Sequence, residues 1–237
     1  MDKRRAPAAH NAPQAVLFDA YGTLFDVDSV ALLAEQLYPG QGLALSRLWR
    51  DKQIEYTHLA SASDQGAHYQ AFWSLTQAAL RYAAARLGLA LPPVREQQFM
   101  NQYRALSTFP ETRDVLKALK ERGVCTGILS NGDPEMLAVA VRSAGLEPWL
   151  DHLISVDTVR RYKPHPDCYA LGPQHSGVAA RDTLFVSSNG WDALGATWFG
   201  YTTLWVNRQG LPPEQIGPAP SRTGSSLREV LDFFPAG

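Results

Sequence analysis

The stretch Ala15-Val16-Leu17-Phe18-Asp19 decides the fold. It is an apolar run without alternation, and it stops at a carboxylate. A short continuous apolar run of this kind reads as a strand buried on both faces, and such strands belong to parallel sheets covered by helices. A carboxylate at the C-terminal end of that strand lies at the edge where open α/β sheets bind their ligands.

Outward from this strand the pattern changes. From Asp28 to about Thr108 the chain is helical in pattern, with Leu33, Leu37, Phe72, Leu75, Ala79 and Leu80 at helical spacing. Pro39-Gly40 and Gly88 punctuate that block, and no clear strand interrupts it. The β/α alternation resumes after Pro110. Residues 113–123 form an amphipathic helix closed by Gly123, and 124–129 read as a strand. Asp133 is placed as an N-cap with Pro134 at N1 of a helix running to about Ala144, where Gly145 ends it. Further strands are predicted at 153–156, 183–186 and 203–206, with a helix from about Asp192 to Phe199 ended by Gly200. Strands alternating with helices imply an α/β, doubly wound parallel sheet core, Rossmann-like in layout. The helical block after the first strand reads as an inserted all-helical cap. The expected division is a flexible tail over 1–14, a core of 15–26 and 108–237, and a cap of 27–107.

Composition narrows the function. The 237 residues are 45% hydrophobic, enough for a sizeable core, and carry 22 Lys+Arg against 23 Asp+Glu for a net charge of -1. No basic excess points to nucleic acid. No stretch approaches the roughly 18–20 apolar residues of a membrane span. The tail has basic residues but no apolar segment before Ala15, so it does not read as a secretory signal, and a cytoplasmic enzyme is the expectation. Cys125 and Cys168 make neither a CxxC nor a Cys/His metal spacing, and Cys125, inside an apolar run, reads as a reduced core thiol. The 6 histidines form no ligand set, and His165 and His175 read as solvated loop residues. No metal and no cofactor is expected. A Gly-x-Ser-x-Gly elbow, a Walker loop and a Gly-x-Gly-x-x-Gly fingerprint are all missing, which disfavours serine hydrolases, P-loop enzymes and dinucleotide oxidoreductases.

Several strand ends carry polar groups: Asp19, Ser130-Asn131, the Arg161-Tyr162-Lys163-Pro164 region, and Ser187-Ser188-Asn189 with Asp192. One polar strand end means little. A carboxylate, a hydroxyl, a lysine and a second carboxylate together make a convergent site.

Here the sequence resembles a known family. Phe18-Asp-Ala-Tyr-Gly-Thr-Leu-Phe-Asp26 is similar to the first motif of the haloacid dehalogenase superfamily, Ile128-Leu-Ser-Asn-Gly132 to its second, Lys163-Pro164 to its third and Val186-Ser-Ser-Asn-Gly-Trp-Asp192 to its fourth. More narrowly, Leu48-Trp-Arg-Asp-Lys-Gln-Ile-Glu-Tyr-Thr57 and the Ser-Ser-Asn form of the last motif resemble the L-2-haloacid dehalogenases. The phosphatases of that superfamily carry a second Asp two residues after the nucleophile to protonate the leaving alcohol. Tyr21 stands there, a poor acid at a pKa of about 10. They also hold magnesium with acidic residues in the fourth motif, where this chain has Ser187, Ser188 and Asn189 before the single acid Asp192. A halide leaves without a proton, and a haloacid has no phosphoryl group that needs a divalent clamp.

The resemblance and the chemistry together imply roles. Asp19 attacks C2 of a small (S)-2-haloacid and forms an ester. Lys163 keeps Asp19 ionised and oriented, and Thr23 orients it. Ser130, with backbone N–H groups at Ala20 and Tyr21, receives the substrate carboxylate. Arg50, from the cap, and Asn131 stabilise the departing halide. Asp192, Ser187 and Asn189 fix Asp19 and the hydrolytic water. Tyr169 matches an active-site tyrosine of the family. Tyr21, Phe72 and Trp191 line the apolar pocket. The partner is a small-molecule haloacid, and the resemblance implies a homodimer. A phosphatase of the same superfamily and a catalytically silent binding protein on this fold are the rival readings.

Overall fold

A computed structural model describes residues 12–234. In chain order the elements are β1 (Ala15–Phe18), α1 (Ser29–Leu37), α2 (Gly42–Ala62), α3 (Phe72–Arg86), α4 (Pro93–Arg104), α5 (Thr112–Glu121), β2 (Cys125–Ser130), α6 (Pro134–Ser143), β3 (His152–Ser155), α7 (Pro166–Ser176), β4 (Thr183–Ser187), α8 (Gly190–Phe199), β5 (Thr202–Val206) and β6 (Arg222–Gly224). All strand pairs are parallel, in the order β3-β2-β1-β4-β5-β6. β1 sits in the middle, with Phe18 level with Ile128 of β2 and Val186 of β4. Every residue of β1 is fully buried, as its unbroken apolar run requires. The strand order reverses at β1, so the ends of β1, β2 and β4 open onto the crevice of a topological switch point.

The helical block α1 to α4 leaves the core after β1 and returns before α5. Its two ends form a short antiparallel neck. Asp26 N–H donates to Ser107 O at 2.8 Å, Phe109 N–H to Leu24 O at 3.1 Å, and Phe25 pairs with Thr108. Inside the cap, Trp49 packs on Phe99 and Tyr103 at 5.8 and 5.6 Å. Tyr21 of the core stacks on Phe72 at 5.8 Å and on Tyr103 at 5.4 Å, joining the two bodies through aromatic faces.

The structure departs from the sequence reading in several places. Of the tail expected over 1–14, residues 1–11 lie outside the described residues. Gln14 already joins the sheet where β1 begins, since its N–H donates to Asp182 O at 2.8 Å. α8 begins at Gly190, two residues before the expected start, so Asp192 lies in its first turn and does not cap it. Asp133 does occupy the N-cap position of α6 with Pro134 after it, but its side chain makes no bond to that helix. The carboxylate instead accepts from Phe72 N–H at 2.8 Å and Trp73 N–H at 2.9 Å, capping α3 of the other body. Cys125 is half-buried, not a core thiol, whereas Cys168 is buried. β6 was not expected. It is a three-residue, largely exposed strand with no apolar residue to signal it.

The helix α7 was also missed, and His175 lies inside it, not in a loop. Its sequence contains Gly172-Pro173, which reads as a break. Pro173 has no N–H for the carbonyl of Tyr169 four residues back. Tyr201 supplies the missing donor, its hydroxyl reaching Tyr169 O at 2.7 Å. Gly172 makes room for it, because a Cβ there would stand 2.1 Å from the Tyr201 hydroxyl oxygen.

Candidate active site

Asp19 follows directly on β1, and its N–H still bonds to Val186 O at 2.9 Å, so the sheet ladder fixes its backbone. Three side chains then fix its carboxylate. Lys163 Nζ donates to Oδ1 at 2.9 Å, while Thr23 Oγ1 at 3.1 Å and Asn189 Nδ2 at 2.8 Å donate to Oδ2. Thr23 is itself held, accepting from Ser188 N–H at 2.8 Å. A carboxylate has roughly four acceptor sites, so these bonds orient it without exhausting it.

Lys163 is fully buried between two carboxylates, with Nζ at 2.9 Å from Asp19 and 2.8 Å from Asp192 Oδ2. Burial alone pulls its pKa down, but the charges of Asp19 and Asp192 outweigh that and hold it above the ordinary lysine value. The ammonium therefore stays charged at neutral pH. Burial lifts the pKa of Asp192 above the usual carboxylate range, with the Lys163 charge opposing. Tyr169 donates to Asp192 Oδ1 at 2.8 Å, so both Asp192 oxygens are engaged. Gly195 permits this approach, since a Cβ there would lie 2.6 Å from the Tyr169 hydroxyl oxygen.

Lys163 makes a third bond, to the backbone. Nζ donates to Leu129 O at 3.0 Å, the next acceptor on β2 beyond the Phe18–Ile128 pair. Among the described residues no hydrogen bond uses the N–H groups of Ala20, Tyr21 or Asn131. Those donors stand around the end of β1 beside Ser130, whose buried Oγ accepts from Gly132 N–H at 3.1 Å. Free N–H groups next to a hydroxyl are suited to an anion.

A small cavity lies over Asp19, lined by Tyr21, Arg50, Phe72, Ser130, Asn131 and their neighbours. Arg50 reaches across from α2. Its Nη2 donates to Asn189 Oδ1 at 3.1 Å, the same amide whose nitrogen holds Asp19. Asn189 and Trp191 complete the core wall.

Of the residues singled out in the sequence, Asp19, Tyr21, Arg50, Phe72, Ser130, Asn131, Asn189 and Trp191 all face this cavity. Thr23, Lys163, Asp192 and Tyr169 stand behind Asp19 in one hydrogen-bonded chain. Ser187 does not join them. Its Oγ accepts from Asn189 N–H at 3.1 Å and shapes the turn that carries Asn189. Asn131 uses its side-chain oxygen on Lys163 N–H at 2.9 Å, tying the β2 end to the lysine. Ile54 and Thr57 also line the cavity and were missed. Their signal was legible: with Arg50 they fall at i, i+4 and i+7, one stripe of α2.

The site thus joins a carboxylate at the end of the central strand of an α/β sheet, a buried lysine behind that carboxylate and a helical lid over it. The model of the haloacid dehalogenase-like hydrolases matches residues 13–200. The chain belongs to that family. An (S)-2-haloacid dehalogenase of Pseudomonas sp. (strain YL) is 43% identical over 93% of this chain and 94% of its own. A crystal structure of an L-2-haloacid dehalogenase superposes with a TM-score of 0.93 at 55% identity, covering 95% of this chain and all (100%) of that one. The L-2-haloacid dehalogenase of Xanthobacter autotrophicus, solved with chloropropionic acid covalently bound, superposes with a TM-score of 0.85 at 36% identity, over 94% of this chain and 100% of that one.

Proposed function

We propose that this protein hydrolyses small (S)-2-haloalkanoic acids to (R)-2-hydroxyacids and halide through an ester on Asp19. The observation that carries this reading is the setting of Asp19: a carboxylate held by Lys163, Thr23 and Asn189 at the floor of a small cavity whose lid brings in Arg50. In the first step an Asp19 oxygen bonds to C2 while the carbon–halogen pair leaves with the halide. The Ala20 and Tyr21 N–H groups and Ser130 receive the substrate carboxylate. Arg50 and Asn131 meet the leaving halide, where negative charge develops. Tyr21, Phe72 and Trp191 surround the alkyl group. In the second step water adds at the Asp19 carboxyl carbon, the ester bond breaks, and the alcohol oxygen takes a proton. Asp192 acts through Lys163, and Tyr169 and Ser187 act through Asp192 and Asn189.

Attack from the side opposite the halide inverts C2, and ester hydrolysis leaves C2 untouched. The covalent adduct in the Xanthobacter autotrophicus relative supports an ester route. The phosphatase rival needs an acid where Tyr21 stands, and burial holds the Tyr21 hydroxyl well above its ordinary pKa. A homodimer in the cytoplasm belongs to the same reading. No helix among the described residues is long and apolar enough to cross a membrane.

The decisive experiment follows the oxygen. In a single turnover in heavy-oxygen water with enzyme in excess, the 2-hydroxyacid carries ordinary oxygen at C2 and the label appears in the peptide containing Asp19. Heavy oxygen in the product hydroxyl, with none in that peptide, would make Asp19 a base and water the nucleophile.

A further inference from the structure

Gln53 is a buried amide in the middle of the cap, and its surroundings are not those of a packing residue. It is 1% exposed, one turn after Arg50 on α2. Arg50 Nη1 donates to its Oε1 at 2.6 Å. Its Nε2 donates to Thr76 Oγ1 at 2.6 Å. The Tyr103 hydroxyl lies 3.1 Å from Nε2 and 3.3 Å from Oε1.

The orientation of this amide is dictated by its neighbours. A guanidinium only donates, so the amide oxygen must face Arg50. Thr76 gives its own proton to Phe72 O at 2.7 Å, which leaves its oxygen to accept from the amide nitrogen. One side chain thus ties α2, α3 and α4 together at the point where Arg50 emerges toward the core. Burying an amide among aromatic rings is costly unless every group is matched, and an apolar side chain of the same length would fill this volume with no such demand.

Arg50 is otherwise poorly placed to stay still. A long side chain reaching over a cavity has several rotatable bonds and loses their freedom when it is held in one place. It is clamped here from both sides, by Gln53 in the cap at Nη1 and by Asn189 in the core at Nη2. Nη2 also donates to Tyr21 O at 3.5 Å, so the core holds that end of the guanidinium at two points, and Arg50 lines the cavity between the clamps.

We infer that Gln53 is a positioning residue for the dehalogenation: it aims the Arg50 guanidinium at the departing halide. The inference rests on the proposed function. It makes a claim about one step only. Gln53 acts while the carbon–halogen bond breaks and has no part in the later hydrolysis of the Asp19 ester.

The test compares wild-type protein with Gln53→Met and Gln53→Glu, using (S)-2-chloropropionate under single-turnover conditions. Gln53→Met removes the clamp at equal length. Gln53→Glu preserves the shape and the acceptor but sets a carboxylate against Arg50, and it keeps the experiment open if the Met variant does not fold. In either variant, halide release should slow about tenfold or more, with the concentration that half-saturates its single-turnover rate shifted less than about twofold. The rate of ester hydrolysis, followed by quenching after halide release, should stay at the wild-type value. Inhibition by added bromide should weaken about tenfold in both, because the ion loses an aimed guanidinium or meets a neutralised one. A role confined to holding the cap together would move both steps alike and leave bromide inhibition unchanged, and that result overturns the inference. Halide release at the wild-type rate in a folded variant overturns it too. Wild-type protein that releases no halide at all sinks the dehalogenase reading itself, and the inference with it.

Discussion

Lys163 is the cation between the two buried carboxylates of the site. Its ammonium lies within 2.9 Å of two carboxylates, and all three side chains are buried or nearly so. Lys163→Met leaves Asp19 and Asp192 facing each other without a cation. Breaking a buried pair from one side costs about 3–5 kcal/mol, so urea unfolding should show a loss of that order along with abolished halide release. Adding Asp192→Asn should restore much of the stability and none of the activity, because the repulsion goes but Asp19 stays unclamped. The sign with pH follows from the raised lysine pKa. The folded state holds the proton more tightly than the unfolded chain, so this stabilisation is complete below the ordinary value of 10.5 and is lost only as pH rises through the higher folded value. A pH–stability curve should therefore show no loss from Lys163 across the neutral and mildly alkaline range. A decline near pH 8 that vanishes in Lys163→Met would contradict the assignment.

At the scale of elements, the sequence revealed strands better than exceptions. β1 is an unbroken apolar run, and β2, β4 and β5 each contain a shorter one, Ile128-Leu129, Leu184-Phe185-Val186 and Leu204-Trp205-Val206, whose burial makes them legible. α7 was not, because Gly172-Pro173 signals a break that only a distant residue repairs. Tyr201 is 32 positions from the carbonyl it satisfies, and no local pattern announces a donor of that kind. Asp133 hid its role for a related reason: it stands where a local cap belongs and serves a helix some 60 residues earlier. The site residues at the strand ends were legible because topology alone gathers them, whereas Gln53 and Thr76 depend on how the cap helices pack. The repair of α7 can be measured. Tyr201→Phe strands a buried carbonyl and should cost about 1–3 kcal/mol. In a Pro173→Ala background, where residue 173 regains an N–H, the same substitution should cost clearly less. Equal costs in the two backgrounds would mean that the hydroxyl bond does not replace the missing helical one.

On the scale of the whole molecule, the division of labour between core and cap sets the chemistry. The core brings Asp19, Lys163 and Asp192 to one sheet edge, and the cap contributes Arg50. The position that faces Asp19 Oδ2 is held by a donor, the Asn189 amide nitrogen, where a divalent ion would require an acceptor. Halide release from (S)-2-chloropropionate should accordingly proceed unchanged in EDTA and gain nothing from added magnesium. A strict magnesium requirement, with turnover of a phosphomonoester, would return the protein to the phosphatase reading.

The neck between the two bodies has a consequence for how such a molecule can diversify. Its strands are already bonded to each other, Asp26 N–H to Ser107 O at 2.8 Å, before any cap helix is considered. The ends of the inserted block are held together by the core, so the entropy of closing that loop grows only slowly with its length. The junction works as a socket. A lid of another size or shape can be exchanged there without displacing Asp19, Lys163 or Asp192, and because Arg50 rides on the lid, such an exchange changes together what reaches Asp19 and the cation that meets it.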